Sequence, residues 1–451
     1  MTNFNYQNIP KELRNLKQWG LFHLKYVPER HKNTKMKVLV IGSGGREFAI
    51  CRKLKASALI DEVYCAPGNP GMERIGVRPV EIQENNFEAL VAFANQHAIT
   101  WTMVGPEDAL ADGIVDYFTS NGLKIIGPDK QAAQLESSKD FALNFMQKFH
   151  IPTAQHQTCT SMEEVDAVLA QTSYPTVIKE DGLAGGKGVF IVENQKEALK
   201  VLATLKVSPQ TPVIFEEYLD GPEYSIFVLL NQKSFQILPV AQDHKKIFDH
   251  DRGPNTGGMG AYSPVPQFDQ AAFDRTVKEI VEPTINGIHT MGFNYTGIIY
   301  IGIMMTANGP KVIEYNVRLG DPETQVVLPR IKNDFGKLLT ECVDQEVLDP
   351  IEVDPQAYVN VVLAAKGYPQ NYVKGQLLPN FEIQSRGMID YANVAVDDQE
   401  RLIGNGGRIL SVIGIGDSIR EAQANAYEIL SNHPVSQTYY RHDIANRAVQ
   451  K

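Results

Sequence analysis

The sequence predicts a protein of several domains, an α/β unit with a parallel sheet followed by α+β units. Three observations lead there. At 451 residues the chain exceeds what one hydrophobic core organises, so two to four compact units are expected. From Met36 onward, short apolar runs, glycine turns and helical patterns alternate, which is the signature of βαβ units and a parallel sheet. Beyond Ile151-Pro152, strand patterns, some of them long, mix with helices in a way that suits α+β organisation.

Residues 1–35 stand apart, with seven Lys/Arg against two Asp/Glu and little periodicity. Met36-Lys37 then lead into Val38-Leu39-Val40-Ile41, a buried-strand pattern that could itself begin a protein. A dispensable leader is expected, with a small partner-binding or nucleic-acid-related segment as the alternative. Deleting residues 1–35 should leave activity and melting temperature nearly unchanged. A large loss of either would show that the leader packs on the body.

Strands are predicted at Val38–Ile41, Val63–Ala66, Thr100–Val104 and Lys124–Ile126, and helices at Arg46–Leu54, Phe87–Gln96 and Ala109–Ser120. A helix at Lys139–Phe149 follows Gly127-Pro128. Next come strands at Pro175–Lys179, Val189–Val192 and Val213–Glu217, with a helix at Gln195–Leu205. Longer strand patterns cover Ser225–Leu230, Thr296–Met305 and Lys311–Asn316. The last segment holds strands near Val359–Ala364 and Arg408–Gly414 and a helix at Ser418–Leu430. The expected division is 36–137, 138–345 and 346–451, without internal repeats or low-complexity linkers.

Composition removes several classes of function. The formal charge of −10 argues against a nucleic-acid-binding surface over the whole molecule. No run approaches the roughly 20 apolar residues a membrane span needs. Cys51, Cys65, Cys159 and Cys342 lie far apart without a C-x-x-C pair, so neither a disulfide framework nor a zinc site is expected and a reducing cytoplasm fits best.

Four runs carry chemistry. Gly42-Ser43-Gly44-Gly45-Arg46 joins a strand to a helix, where glycines let backbone approach a phosphate and the helix N-terminus favours negative charge. A dinucleotide site is disfavoured: Glu47 takes the final glycine position of G-x-G-x-x-G, and the second strand ends in Ala66-Pro67-Gly68 with no acid for a ribose hydroxyl. Asp181-Gly182-Leu183-Ala184-Gly185-Gly186-Lys187-Gly188 reads as a hairpin able to close over a polyphosphate, with Lys179 before it as a second phosphate contact. Lys187 is followed by Gly188 and Val189, so this is no P-loop. Phe215-Glu216-Glu217-Tyr218-Leu219-Asp220-Gly221-Pro222-Glu223 places acids at a strand end, suited to ribose hydroxyls. Glu314-Tyr315-Asn316-Val317-Arg318 puts two hard oxygen ligands on one face of a strand, apt for Mg²⁺, and Arg318 joins them if the strand continues. The glycine-rich run from Gln242 to Gly260 reads as a substrate loop, and His442 and Asp443 as packing or surface residues.

In order, VLVIGSGGRE, the Pro67–Gly71 loop, VGPED, the Ser138–Ala142 stretch, DGLAGGKGV, EEYLDGPEYS, DHDRGPNTGGMGAYSP, EYNVRLGDPETQ, AAKGYP, GNGGR and YRHDIANRA resemble the phosphoribosylamine–glycine ligase family. The resemblance runs from Met36 to about Ala448. It implies a pre-ATP-grasp domain, an ATP-grasp domain with a small lid at about 152–223, and a C-terminal β-rich domain. It also implies ATP-dependent joining of glycine to 5-phosphoribosylamine through glycyl phosphate, in purine biosynthesis, by a cytoplasmic monomer using Mg²⁺ or Mn²⁺. By motif match, Lys139, Lys179, Lys187, Glu216, Glu217, Leu219 and Glu223 would surround ATP, and Glu314 and Asn316 the metal. Gly44, Asn69 and Glu107 would face the ribosylamine. Arg318 would face the reacting carboxylate, with Lys187 also catalytic. Two departures stand out: Phe48 replaces the family's usual His, and the preceding strand offers no acidic metal ligand. The closest rival is another ATP-grasp ligase, biotin-carboxylase-like or carboxyaminoimidazole-forming. An NAD-dependent oxidoreductase and a non-catalytic nucleotide sensor are the rivals from other classes.

Overall fold

The computed structural model describes residues 35–183, 188–383 and 385–449. The leader, apart from Lys35, and the hairpin residues 184–187, including Lys187, lie outside the described residues.

Val38, Leu39, Val40 and Ile41 are all fully buried, as a central parallel strand covered on both faces requires. Their strand, Met36–Gly42, pairs in parallel with Ile60–Pro67 on one side and Trp101–Val104 on the other, and Trp101–Val104 pairs in parallel with Ile125–Pro128. The predicted helix over Ala109–Ser120 is instead two helices, Glu107–Asp112 and Ile114–Ser120. Gly113 between them takes φ +95°, a left-handed conformation that ends the first helix.

The first unit does not close at Ile125–Pro128. That strand also pairs antiparallel with Tyr295–Thr306, Tyr295 opposite Pro128, so one nine-stranded sheet runs on into the next part of the chain. There Tyr295–Thr306 is flanked by Glu223–Leu230 and Gly309–Asn316, both antiparallel to it.

A separate four-stranded antiparallel sheet orders His156–Cys159, Val213–Glu217, Thr176–Glu180 and Val189–Val192. Helices Met162–Leu169 and Gln195–Leu202 pack on it. Its core, including Val165, Ile178, Leu202 and Phe215, is distinct from the main one. A small core of its own lets this unit move as a body, which suits a lid.

The C-terminal sheet centres on Ala357–Ala365, paired with Arg408–Gly416, which in turn pairs with Gly387–Tyr391. Helix Ile419–Asn432 covers this sheet. Gly260–Ser263 pairs with Ala357–Ala365, so the predicted substrate loop leaves the middle of the chain to extend the last sheet.

Candidate active site

A cleft of about 920 Å³ opens between the small four-stranded sheet and the long antiparallel strands below it. Lys139, Lys179, Glu216, Glu217, Leu219, Glu223, Glu314, Asn316 and Arg318 all line it, as does Glu107 at one end. Leu143, Met146, Val177, Leu219 and Ile313 supply apolar wall, and the cations and carboxylates supply the polar points.

Each polar group is placed by local structure. Ser138 caps helix Lys139–Lys148 by accepting from the Phe141 N–H at 3.1 Å. The Asp181 carboxylate accepts from the Lys139 N–H at 2.5 Å and from the Ser138 hydroxyl at 3.1 Å. Lys139 Nζ donates to the Gly182 carbonyl at 2.7 Å, which sets the cation at the root of the glycine hairpin. Burial pulls the Lys139 pKa down, and Asp181 only partly offsets it. Lys179 is buried in the lid sheet, 2.6 Å from Glu216 Oε2. Glu217, one residue on, turns to Lys311 Nζ at 3.0 Å and the Gln155 N–H at 3.2 Å.

At the far wall, Lys245 Nζ lies 2.8 Å from Glu223 Oε2 and 3.9 Å from Glu314 Oε1. Burial alone would lower its pKa, but Glu223, Asp243 and Glu314 together hold it well above the usual lysine value. Glu314 and Asn316 lie two apart on strand Gly309–Asn316 and share a face, as predicted. The Glu314 side chain is 46% exposed to the cleft. It stands opposite Gly302 in the ladder, so the neighbouring strand adds no carboxylate at that register.

The strand ends at Asn316, so Arg318 does not continue it as expected. Two carboxylates hold Arg318 instead: its Nε donates to Glu107 Oε2 at 3.2 Å and its Nη2 lies 2.7 Å from Glu136 Oε1. For Glu107, burial acts upward, but Arg318 and then Arg46 outweigh it and hold the carboxyl at about 2. Burial pushes Glu136 up to about 7 against the pull of Arg318.

A second, smaller cavity of about 230 Å³ lies on the other side of Glu107, lined by Ser43, Gly44, Arg46, Gln325, Asn393 and Arg408 among others. Glu47, the residue that broke the dinucleotide pattern, accepts from the Gly44 N–H at 2.8 Å and from Arg46 Nε at 2.5 Å. It fits only because Gly105 faces it: a Cβ there would fall 1.9 Å from Glu47 Oε1. Gly44 lines this cavity, but its own amide is engaged by Glu47, and a Cβ there would come 3.1 Å from Glu47 Oε2. Asn69, expected on the ribosylamine side, is among the lining residues of neither cavity. Its amide donates to the Ser43 carbonyl at 2.7 Å and the Tyr391 carbonyl at 3.1 Å and accepts from Gly71, bracing the glycine turn. Phe48 is buried, edge-on to Tyr391, and lines neither cavity.

Sequence reasoning passed over Lys245, Glu136, Arg46 and Arg408. Arg408 donates to the carbonyls of Gly257 at 2.7 Å and Asp321 at 3.0 Å and pairs with Asp321 Oδ2 at 3.1 Å, at the wall shared by both cavities. Arg46, Lys245 and Arg408 stood inside runs already singled out (GSGGR, QDHK and GNGGR), which was the available signal. His442 and Asp443 do more than cover surface: Asp443 pairs with Arg441 at 2.7 Å and accepts from the His250 N–H at 2.9 Å, tying the chain end to the glycine-rich loop.

A lid sheet with its own core, closing on an antiparallel strand pair that ends in Glu-x-Asn, with lysines between, defines an ATP-grasp ligase. The chain belongs to the phosphoribosylglycinamide synthetase family. Residues 36–136 match that family's N domain, 137–324 its ATP-grasp (A) domain and 358–447 its C domain. The phosphoribosylamine–glycine ligase of Streptococcus pneumoniae is 42% identical over 421 residues, covering 92% of this chain and all of that one. That of Streptococcus suis is 43% identical over 423 residues, with the same coverage. Among solved structures, the phosphoribosylamine–glycine ligase of Thermotoga maritima superposes with a TM-score of 0.78 at 34% identity, covering 91% of this chain and all of that one. Biotin carboxylase of Campylobacter jejuni, at 15% identity and a TM-score of 0.69 over 90% of this chain and 92% of its own, shares the fold.

Proposed function

We infer that the chain joins glycine to 5-phosphoribosylamine in purine biosynthesis, using ATP and releasing ADP and phosphate. The observation that carries this reading is the cleft itself: in a chain of this family, it sets buried Lys179 and half-buried Lys139 against Glu314, Asn316 and Arg318.

A carboxylate is a poor acyl donor because oxide leaves badly. A glycine carboxylate oxygen therefore attacks the γ-phosphorus, and the bond to the bridging oxygen breaks as ADP leaves. The ribosylamine nitrogen then attacks the acyl carbon of glycyl phosphate, phosphate leaves with the bonding pair, and the nitrogen releases a proton. The protein contributes position and charge more than covalent help. In this reading the apolar wall around Leu219 takes the adenine, and Glu216, Glu217 and Glu223 stand at its polar edge and at the ribose. Lys139 and Lys179 take the phosphates, with Lys187 as the lid lysine. Arg318 faces the acyl phosphate, and Glu107 and Gly44 stand on the ribosylamine side, where Asn69 braces the turn.

Glu314 and Asn316 would hold a divalent cation, Mg²⁺ or Mn²⁺. Their chemistry fits: both offer hard oxygens from one face of a strand into the cleft. Among the described residues no three His, Cys, Asp or Glu gather around a metal, so nucleotide and water would complete the shell. When bound, the cation supplies neutralisation of phosphoryl charge.

The division 36–137, 138–345 and 346–451 remains our proposal, supported by the separate lid core and qualified by Gly260–Ser263, which belongs to the last sheet. A cytoplasmic monomer is proposed with it. All four cysteines are free and buried, and among the described residues no helix is long and apolar enough to cross a membrane.

The test is ADP release with phosphoribosylamine generated in situ. Release should require glycine and the ribosylamine together. Equal release with bicarbonate in place of glycine would refute the assignment.

A further inference from the structure

Strand Gly309–Asn316 stops where the chemistry begins, so residues 316–318 must be held by something other than the ladder. One carboxylate meets all three. Glu136, from the short helix Gln134–Ser137, accepts from the Val317 N–H through Oε2 at 2.8 Å. Its Oε1 lies 2.7 Å from Arg318 Nη2. With the Asn316 amide turned so that its nitrogen faces Glu136, the orientation in which both its nitrogen and its oxygen find partners, that nitrogen donates to the same Oε1 at 3.1 Å and to the Tyr315 carbonyl at 3.0 Å. The Glu136 side chain is 6% exposed, so these donors replace the water it gave up on folding.

We propose that Glu136 is a positioning residue that aims the Asn316 amide oxygen and the Arg318 guanidinium into the reaction cleft. An amide has one oxygen and one NH₂ group, and only the oxygen can ligate a cation. Left alone, Asn316 presents either end at little difference in energy. As a carboxylate paired with Arg318, Glu136 accepts only from the nitrogen, so the oxygen is the end left for the cleft. The same carboxylate anchors one arm of Arg318, and Glu107 takes another at 3.2 Å, which fixes the guanidinium plane from two sides. Position 136, itself in the cleft wall, thus joins the cation side and the acyl-phosphate side of the site. Partners of this kind orient metal ligands, and their loss costs about 10–100-fold in metal affinity or activity.

The inference rests on Asn316 being a cation ligand, and the experiment separates the two. Mn²⁺ binding is measured by electron paramagnetic resonance with a non-hydrolysable ATP analogue present, in wild type, Glu136→Gln, Glu136→Asp and Asn316→Ala. Metal-free binding of the analogue and thermal melting are recorded alongside. Glu136→Gln should weaken Mn²⁺ binding about 10–100-fold while metal-free analogue binding stays at the wild-type level. Glu136→Asp keeps the charge on a shorter stem and should fall between the two. If Glu136→Gln does not fold, Glu136→Asp carries the test. Wild-type Mn²⁺ affinity in the folded Glu136 variants, with a loss in Asn316→Ala, overturns the positioning role alone. No loss in Asn316→Ala overturns the cation site beneath it. Equal losses of Mn²⁺ and metal-free analogue binding would mark Glu136 as structural and also overturn the proposal.

Discussion

Replacing Glu314 by Ala is expected to lower turnover by about 10²–10³-fold, the scale seen when one preorganised charge-stabilising group is removed from a site. Nucleotide binding should suffer far less. ADP would keep its adenine and ribose contacts, whereas the γ-phosphoryl transition state would lose the charge neutralisation supplied through the cation. Stability should hardly change: the side chain is 46% exposed, and a substitution of this kind costs under about 0.5 kcal/mol. Lys245 keeps its closer partner, Glu223. Raising Mg²⁺ should restore turnover in part, because mass action refills a weakened site. Steady-state kinetics over a range of Mg²⁺, an ADP-binding titration and a melting curve check all four points. Near-normal turnover at ordinary Mg²⁺ would contradict the proposed cation site.

Arg318→Met should damage folding as well as chemistry. It removes the cation between Glu107 and Glu136 while keeping most of the volume, and one of those carboxyls is almost fully buried. Breaking a buried pair by deleting one partner costs about 3–5 kcal/mol when the remaining charge stays ionised. Glu136, already pushed up to about 7, can take up a proton and Glu107 keeps Arg46, so the lower end of that range is expected. The melting temperature should fall by several degrees and turnover should collapse with it. The pH dependence has a definite sign. Glu107 is held at about 2 in the folded protein, against an ordinary value of 4.5. A depressed carboxyl contributes stability that is present above the unfolded pKa and is lost as pH falls toward the folded one. The variant forfeits Arg318's share of that contribution while Arg46 keeps its own, so its deficit against wild type should be widest at neutral pH and shrink between about 4.5 and 2. Melting curves at pH 7 and pH 4 measure the difference. An unchanged melting temperature at pH 7 would show that the carboxylates have other partners.

What sequence could settle and what it could not divide along physical lines. Val38–Ile41 and Val213–Glu217 were readable because side-chain period and burial are local properties. Glu314 and Asn316 were readable as a pair because a strand puts residues two apart on one face whatever surrounds it. Strand length itself was not readable, since pairing partners end a strand, and Arg318 therefore lies beyond the ladder it was expected to continue. Gly113 split a helix whose apolar pattern ran on without a break, because backbone handedness leaves no mark on periodicity.

Contacts between distant segments belonged wholly to the tertiary structure. Ile125–Pro128 meets Tyr295–Thr306, and Gly260–Ser263 joins a sheet centred nearly a hundred residues later. Glu136 is 181 residues from Val317, and Arg408 is 87 from Asp321. A carboxylate or guanidinium in a sequence carries its charge but not its partner. Sequence by itself determined which residue types could bind phosphate and cation, and in what order they come. Folding decided which of them share a cleft and what holds Arg318, because those depend on distances that only packing creates.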